Sequence, residues 1–123
     1  MTQQRIALGK TGEDLAVREL QRRGYEILDR RWRSRAGEID IIARDGATVV
    51  FVEVKAREGC AFGGGADAVT ARKRQRIVRL AQEYLARHRL GDCPCRFDVV
   101  AIDGGDERPS VRLYQNAFDA GTT

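Results

Sequence analysis

Acidic side chains set into apolar strands are the first candidates for chemistry in this chain. The segment GEIDIIARDGATVVFVEVKAR, residues 37–57, carries Glu38, Asp40, Glu53 and Lys55 among isoleucines and valines. Charges in such positions are costly unless they are paired or used. Side chains alternate along a strand, so Phe51, Glu53 and Lys55 share one face, and Glu38, Asp40 and Ile42 share a face of the preceding run. Asp45-Gly46 is a strong hairpin signal between the two runs. A two-residue loop there pairs Arg44 with Ala47, sets Asp40 opposite Phe51 and Glu38 opposite Glu53, and makes Asp40 and Glu53 diagonal neighbours about 7–8 Å apart. A four-residue loop would set the two directly opposite each other, and a three-residue loop would send them to opposite faces.

Two carboxylates on one surface repel, and a divalent cation is the usual resolution. Hard Mg²⁺ or Mn²⁺ prefers oxygen ligands and retains several waters. Lys55, on the same strand face as Glu53, would add a positive charge beside the ion. That combination suits phosphodiester hydrolysis: the cation polarises the phosphoryl oxygen and activates water, and Lys55 orients that water or stabilises developing negative charge. The carbonyl of Val54 is a further candidate ligand, and Glu38 is a rival one in this register. An E-V-K tripeptide alone reads more simply as a solvated strand face with a weak ion pair. Asp40 on the neighbouring strand weighs against that simpler reading.

GEIDIIA, FVEVKAR, the Phe62-Gly63 loop and a following basic helix together resemble the YraN family of bacterial proteins. That family is identified as a member of the PD-(D/E)XK, restriction-endonuclease-like superfamily and is similar to archaeal Holliday-junction resolvases. The resemblance runs from Gly12-Glu13 through Arg96-Phe97-Asp98 to Asn116-Ala117-Phe118. It implies a metal-dependent endonuclease acting on DNA, branched or otherwise structured, with Asp40 and Glu53 as metal ligands. It also implies that Glu13 joins or orients the metal site. The family often has asparagine where this chain has Arg31, a departure that leaves the acidic cluster intact.

The elements that must position these residues can be read in outline. Thr11 and Asp14 resemble a capping box, Leu15, Val17 and Leu20 supply apolar positions, and Gly24 gives a stop, so a helix is expected from Thr11. On residue chemistry alone, Glu13 would simply favour the positive end of that helix. Tyr25 to Trp32 reads as the first strand. Thr70 opens a long helix to about His88, with Ile77, Leu80, Ala81, Tyr84 and Leu85 as its core stripe. Arg96 to Ile102 and Val111 to Tyr114 read as strands joined by a turn at Asp103-Gly104-Gly105. Between Lys55 and Thr70, residues 58–65 form a loop with Gly63-Gly64-Gly65, which suits close approach of a phosphate backbone. It lacks a G-K-[ST] ending, so a P-loop is excluded. The fold expected is α/β, a mixed sheet of about five strands flanked by helices, in one domain spanning residues 1–123. The long helix would supply a parallel crossover.

Charge and composition bear on partners. The chain of 123 residues has 22 Lys and Arg against 18 Asp and Glu, a net charge of +4. Arginine dominates the cations, and its planar fork suits phosphate. Arg33 and Arg35, with Trp32 interleaved, are candidates to hold nucleic acid by charge and stacking; a packed tryptophan among solvated arginines is the equal alternative. Arg72, Lys73 and Arg76 are the candidates on the long helix, where only Glu83 lies among the central cations. DNA is favoured over RNA, and a homodimer is compatible with the resemblance. No apolar stretch is long enough to cross a bilayer and no signal core precedes the first helix, so a cytoplasmic location is expected. Cys60, Cys93 and Cys95 do not have the spacing of a structural zinc site, and His88 is expected to end its helix. Asp98 is expected to be structural, paired with an arginine. The competing function is a nucleic-acid-binding module without catalysis, in which the acidic cluster is an ion-pair network.

Overall fold

The computed structural model describes residues 2–57, 70–104 and 109–119, with side chains in the first stretch described over 12–56. Helix α1 spans Thr2–Arg22 and is followed by strands β1 (Glu26–Ser34), β2 (Gly37–Asp45) and β3 (Thr48–Arg57). Helix α2 (Ala71–Arg87) leads to β4 (Cys95–Asp103) and β5 (Ser110–Phe118). The five strands form one sheet in the order β1-β2-β3-β4-β5. Only β3 and β4 run parallel. A parallel neighbour cannot be reached by a tight turn, and α2 provides the crossover. The architecture is the α/β mixed sheet expected, in a restriction-endonuclease-like arrangement. The glycine-rich loop at 58–65 and the end of the Asp103 turn lie outside the described residues.

Each helix covers a different face. Ala16 and Leu20 of α1 pack with Tyr25, Ile41, Ala43, Val50, Val52, Val100 and Ile102. Ile77, Leu80, Ala81 and Tyr84 of α2 pack with Ile39, Ile42, Val49, Phe51, Phe97 and Val99. Burying a side chain such as Leu20, Leu80 or Phe51 contributes about 1.5–3 kcal/mol, and all three are essentially inaccessible. Gly12 lets α1 seat closely on the sheet, because a Cβ there would lie 3.1 Å from the Ala56 Cβ. Trp32 belongs to the α2 core: its ring meets Tyr84 edge-on at 5.3 Å, and the Arg87 guanidinium lies over it. Of the two readings of that residue, the packed tryptophan is the correct one.

Three expectations are corrected. First, α1 starts at Thr2, so Thr11 lies inside the helix and not at its start. Second, the hairpin turn is Gly46-Ala47, with Asp45 paired to Thr48 and Ile42 to Phe51. Gly46 takes φ +61° as the first central residue, and no other residue of the turn has positive φ. A turn with glycine first satisfies the strand twist without forcing Asp45 into the left-handed region. The register therefore differs by two from the one expected, and the faces are preserved. Third, β2 does not alternate strictly: Ile39 and Ile42 enter the α2 core while Ile41 and Ala43 enter the α1 core, so the pattern breaks at Asp40.

Candidate active site

The break at Asp40 has a partner on β1. The pairs Arg30 with Ile41 and Trp32 with Ile39 are kept, and the residues skipped between them are Arg31 and Asp40. Arg31 sits at φ +54°. That left-handed conformation is uncommon for non-glycine residues and several-fold enriched in asparagine. Beyond this point β2 leaves its ladder with β3, whose last paired residues are Ile41 and Val52. The Asp40 carboxylate takes over and accepts the Val54 N–H at 2.8 Å. Continued one step, the same register sets Asp40 opposite Glu53.

Glu53 is only 5% exposed. Its carboxylate forms an ion pair with the Lys73 ammonium, which reaches it from the first turn of α2. Burial, followed by the charge of Glu53, pushes the Asp40 carboxyl up to about 7, against the stabilising Val54 N–H, and a hydrogen bond to Glu53 adds to the rise. Burial lowers the Lys55 ammonium, and the positive charge of Lys73 lowers it further. Burial also acts against the Lys73 charge, but the hydrogen bond and charge of Glu53 leave its pKa raised. Four groups thus share one small space: Asp40, Glu53, Lys55 and Lys73. Carboxylates set beside each other in a sheltered space are a familiar setting for hard-cation binding and for acid–base work.

The structure brings together some expected site residues and not others. Asp40, Glu53 and Lys55 converge, and Val54 contributes its N–H to Asp40. Glu38 pairs instead with Arg33 at 2.6 Å on the exposed end of the hairpin. Glu13, 9% exposed on α1, is held by Arg30 at 2.9 Å and Arg31 at 3.1 Å. Among the described residues, no group of three or more Asp, Glu, His or Cys side chains is gathered. Two carboxylate oxygen donors in a sheltered, partly charged setting still fit Mg²⁺ or Mn²⁺, which complete their shells with water, backbone carbonyl and phosphate oxygen.

The basic residues divide in the same way. Arg33 is engaged by Glu38 and Lys73 by Glu53. Arg35, Arg72 and Arg76 are exposed and form no ion pair among the described residues. Arg76 crosses directly over β2, where a Cβ on Gly37 (φ +142°) would lie 3.2 Å from its Cδ. Helix α2 opens with Thr70, whose hydroxyl accepts the Lys73 N–H at 3.2 Å, and has no acidic residue in its first turn. Three cations, Arg72, Lys73 and Arg74, therefore follow one another at the positive end of a helix dipole. Cations there are unfavourable unless an anion is nearby.

Lys73 is the candidate that the sequence places at phosphate and the structure places against Glu53. It reads as a phosphate contact, and its position at an N-terminal turn without acids is the one signal of a deeper role. His88 behaves as expected, as the C-cap of α2, stacked on Tyr84 at 4.0 Å. Cys93 and Cys95 are free thiols. Asp98 is the buried structural acid expected, bonded to Arg96, Tyr25 and the Asn116 N–H.

The profile of Uncharacterised protein family UPF0102 matches residues 12–102. The chain belongs to this family. It is 51% identical over 114 residues to a UPF0102 protein of Symbiobacterium thermophilum, covering 92% of this chain and 97% of that protein. A UPF0102 protein of Syntrophotalea carbinolica is 45% identical over 119 residues, 97% of each chain. One from Rhodococcus opacus is 49% identical over 114 residues, 92% of this chain and 97% of the other. The family is the one to which the YraN resemblance pointed. Among the described residues no helix is long and apolar enough to cross a membrane.

Proposed function

We propose that the protein is a metal-dependent endonuclease that hydrolyses phosphodiester bonds in DNA, with branched or structured DNA as its substrate class. The observation that carries this reading is the face-to-face placement of Asp40 and Glu53 at the point where β2 leaves β3, with Lys55 and Lys73 beside them. A structural ion-pair network has no need to set two carboxylates beside each other in a sheltered space.

A divalent cation bound between Asp40 and Glu53 would polarise the scissile phosphoryl group and lower the pKa of water. The chain's own residues do the rest. Asp40 is fixed by the Val54 N–H, which it accepts through one carboxylate oxygen. Lys55, with its charge made less stable by burial and by Lys73, is poised to hold the attacking water or to stabilise negative charge growing on phosphate. Arg35, Arg72 and Arg76 are exposed and would track the backbone. In this reading Glu13 supports Arg30 and Arg31, so it acts on the site by fixing the irregular turn of β1.

The test is calorimetric titration of Mn²⁺ and Mg²⁺ into the wild type and Asp40→Asn, with cleavage of a four-way DNA junction followed in parallel. Cation binding that is lost with Asp40, together with cleavage lost in Asp40→Ala and Lys55→Ala, is the expected result. Cleavage retained in either variant would discard the assignment. A second reading, a nucleic-acid-binding module without catalysis, draws on the Lys73 ion pair, which already compensates Glu53. It requires junction binding that is unchanged by chelator and no Asp40-dependent binding of Mn²⁺.

A further inference from the structure

Resting on the metal-site reading above, the geometry points to Lys73 as an exchangeable internal counter-ion. We propose that its ammonium holds Glu53 while no divalent cation is bound and yields that carboxylate when one enters, swinging out to meet phosphate.

Charge counting motivates the exchange. Even with Asp40 and Glu53 both ionised, their two negative charges would be matched by the two positive charges of Lys55 and Lys73, leaving no net negative charge to hold a cation. A divalent cation added to that set leaves an excess of two positive charges in a sheltered space, where repulsion is poorly screened. One ammonium has reason to leave, and the two are not equivalent. Lys55 is on β3 itself, two residues from Glu53, so its stem stays beside the pair. Lys73 comes from the neighbouring helix, and its side chain is 39% exposed, whereas that of Glu53 is 6% exposed. It has an open side into which it can move.

The anchor of Lys73 also suits a moving side chain on a fixed backbone. Its N–H is held by the Thr70 cap, so the Cα keeps its place whichever way the flexible four-carbon stem points. Turned outward, the ammonium would join Arg72 at the helix N-terminus, a location that itself favours an anion. By contrast Arg96 holds the fully buried Asp98 through two nitrogens and is only 21% exposed, as expected of a pair that does not exchange. The pairing of a lysine, rather than an arginine, with the buried glutamate is what an exchange requires. Cation loading and the appearance of a phosphate-binding ammonium then become one event, and free protein would bind divalent cations weakly until a polyanion is present.

The experiment is calorimetric titration of Mn²⁺, without nucleic acid, into the wild type, Lys73→Met and Arg79→Met. Lys73→Met removes the charge and keeps the stem; Arg79→Met removes a charge elsewhere on the exposed side of α2. Loss of the competing ammonium should tighten Mn²⁺ binding at least about tenfold in Lys73→Met and change it less than about twofold in Arg79→Met. Lys73→Met should also melt lower than wild type in chelator and regain more melting temperature on adding Mn²⁺. Equal Mn²⁺ affinity in wild type and Lys73→Met would overturn the exchange and leave the metal site standing. Binding by neither protein would overturn the metal reading itself and the exchange with it. Lys73→Gln provides the same comparison should the methionine variant fail to fold.

Discussion

Two buried acids, one under each helix, show how differently a fold can treat a carboxylate. Asp98, fully buried in β4, accepts hydrogen bonds from Tyr25, Arg96 and the Asn116 N–H. Arg96 also donates to the Tyr25 hydroxyl and to Asp45, and Gln115 donates to Tyr25, so the network closes on itself. Glu53 in β3 is nearly as buried, yet it faces another carboxylate and a half-exposed lysine. Donors surround Asp98, whereas among the described residues Asp40 accepts the Val54 N–H and Glu53 pairs with Lys73 while the two carboxylates face each other. A satisfied acid locks strands together; two facing carboxylates are the arrangement that a bound cation would relieve.

The largest effect should come from breaking the satisfied acid. Asp98→Ala leaves Arg96 with only Asp45 as an anionic partner and Tyr25 and Asn116 without their acceptor, and should cost about 3–5 kcal/mol in urea unfolding. Asp40→Asn should reverse the pattern. An amide oxygen can still accept the Val54 N–H, and one of two repelling charges is gone, so stability in chelator should hold to within about 0.5 kcal/mol or rise. Its Mn²⁺ affinity should nevertheless fall by at least about a hundredfold. Equal destabilisation by the two substitutions would erase the contrast between the acids.

Acid sharpens the comparison further. The Asp40 carboxyl is raised from 3.8 to about 7 in the folded protein. Between those values the folded state holds a proton that the unfolded chain releases, so its contribution to stability is full below 3.8 and is lost as pH rises through about 7. In chelator the wild type should therefore lose stability from pH 5 to pH 8 relative to Asp40→Asn, as measured by urea midpoints at each pH. A flat difference would show that the Asp40 carboxyl is not raised by its surroundings. A smaller effect is expected at the rim, where Arg72→Ala should lower the slope of log affinity for DNA against log salt by about 0.9. Smallest of all is Glu19→Gln on the outside of α1. Arg22 and Arg23 bond Glu19 and hold its carboxyl down at about 2, but the pairs are solvent-screened. Removing them should cost no more than about 0.5 kcal/mol in the same unfolding assay.

The contrast between the two acids was largely legible in the sequence, for reasons that differ by residue. Asp98 stands in an otherwise apolar strand beside Arg96, and its structural role follows from that neighbour. Glu53 and Asp40 were marked by the cost of charges in apolar strands, and the Asp45-Gly46 signal brought them onto one hairpin. Their register came out two residues off, because an Asp-Gly pair suggests both residues in the loop while the structure uses Gly46 and Ala47. The left-handed Arg31 was invisible, since an arginine in a strand gives no sign of positive φ. Without it, strict alternation wrongly put Ile39 and Ile41 in the same core. The start of α1 was hidden by Thr11 and Asp14, which imitate a cap inside a longer helix. Lys73 escaped because its partner lies on another element, and no periodicity within α2 points to Glu53.

The sequence distances in the two networks give the folding reaction an expected order. Asp40 and the Val54 N–H are 14 residues apart, joined by a tight hairpin, while Tyr25 is 73 residues from Asp98 and 90 from Gln115. Closing a short hairpin takes microseconds and fixes few residues, whereas the distant contacts must wait for the α2 crossover and for β4 and β5 to dock. The two carboxylates should thus be pressed together early, before Tyr25 and Asp98 meet. Their repulsion would fall on the nascent sheet, so acid or divalent cations should speed refolding through the hairpin rather than slow unfolding of the finished fold.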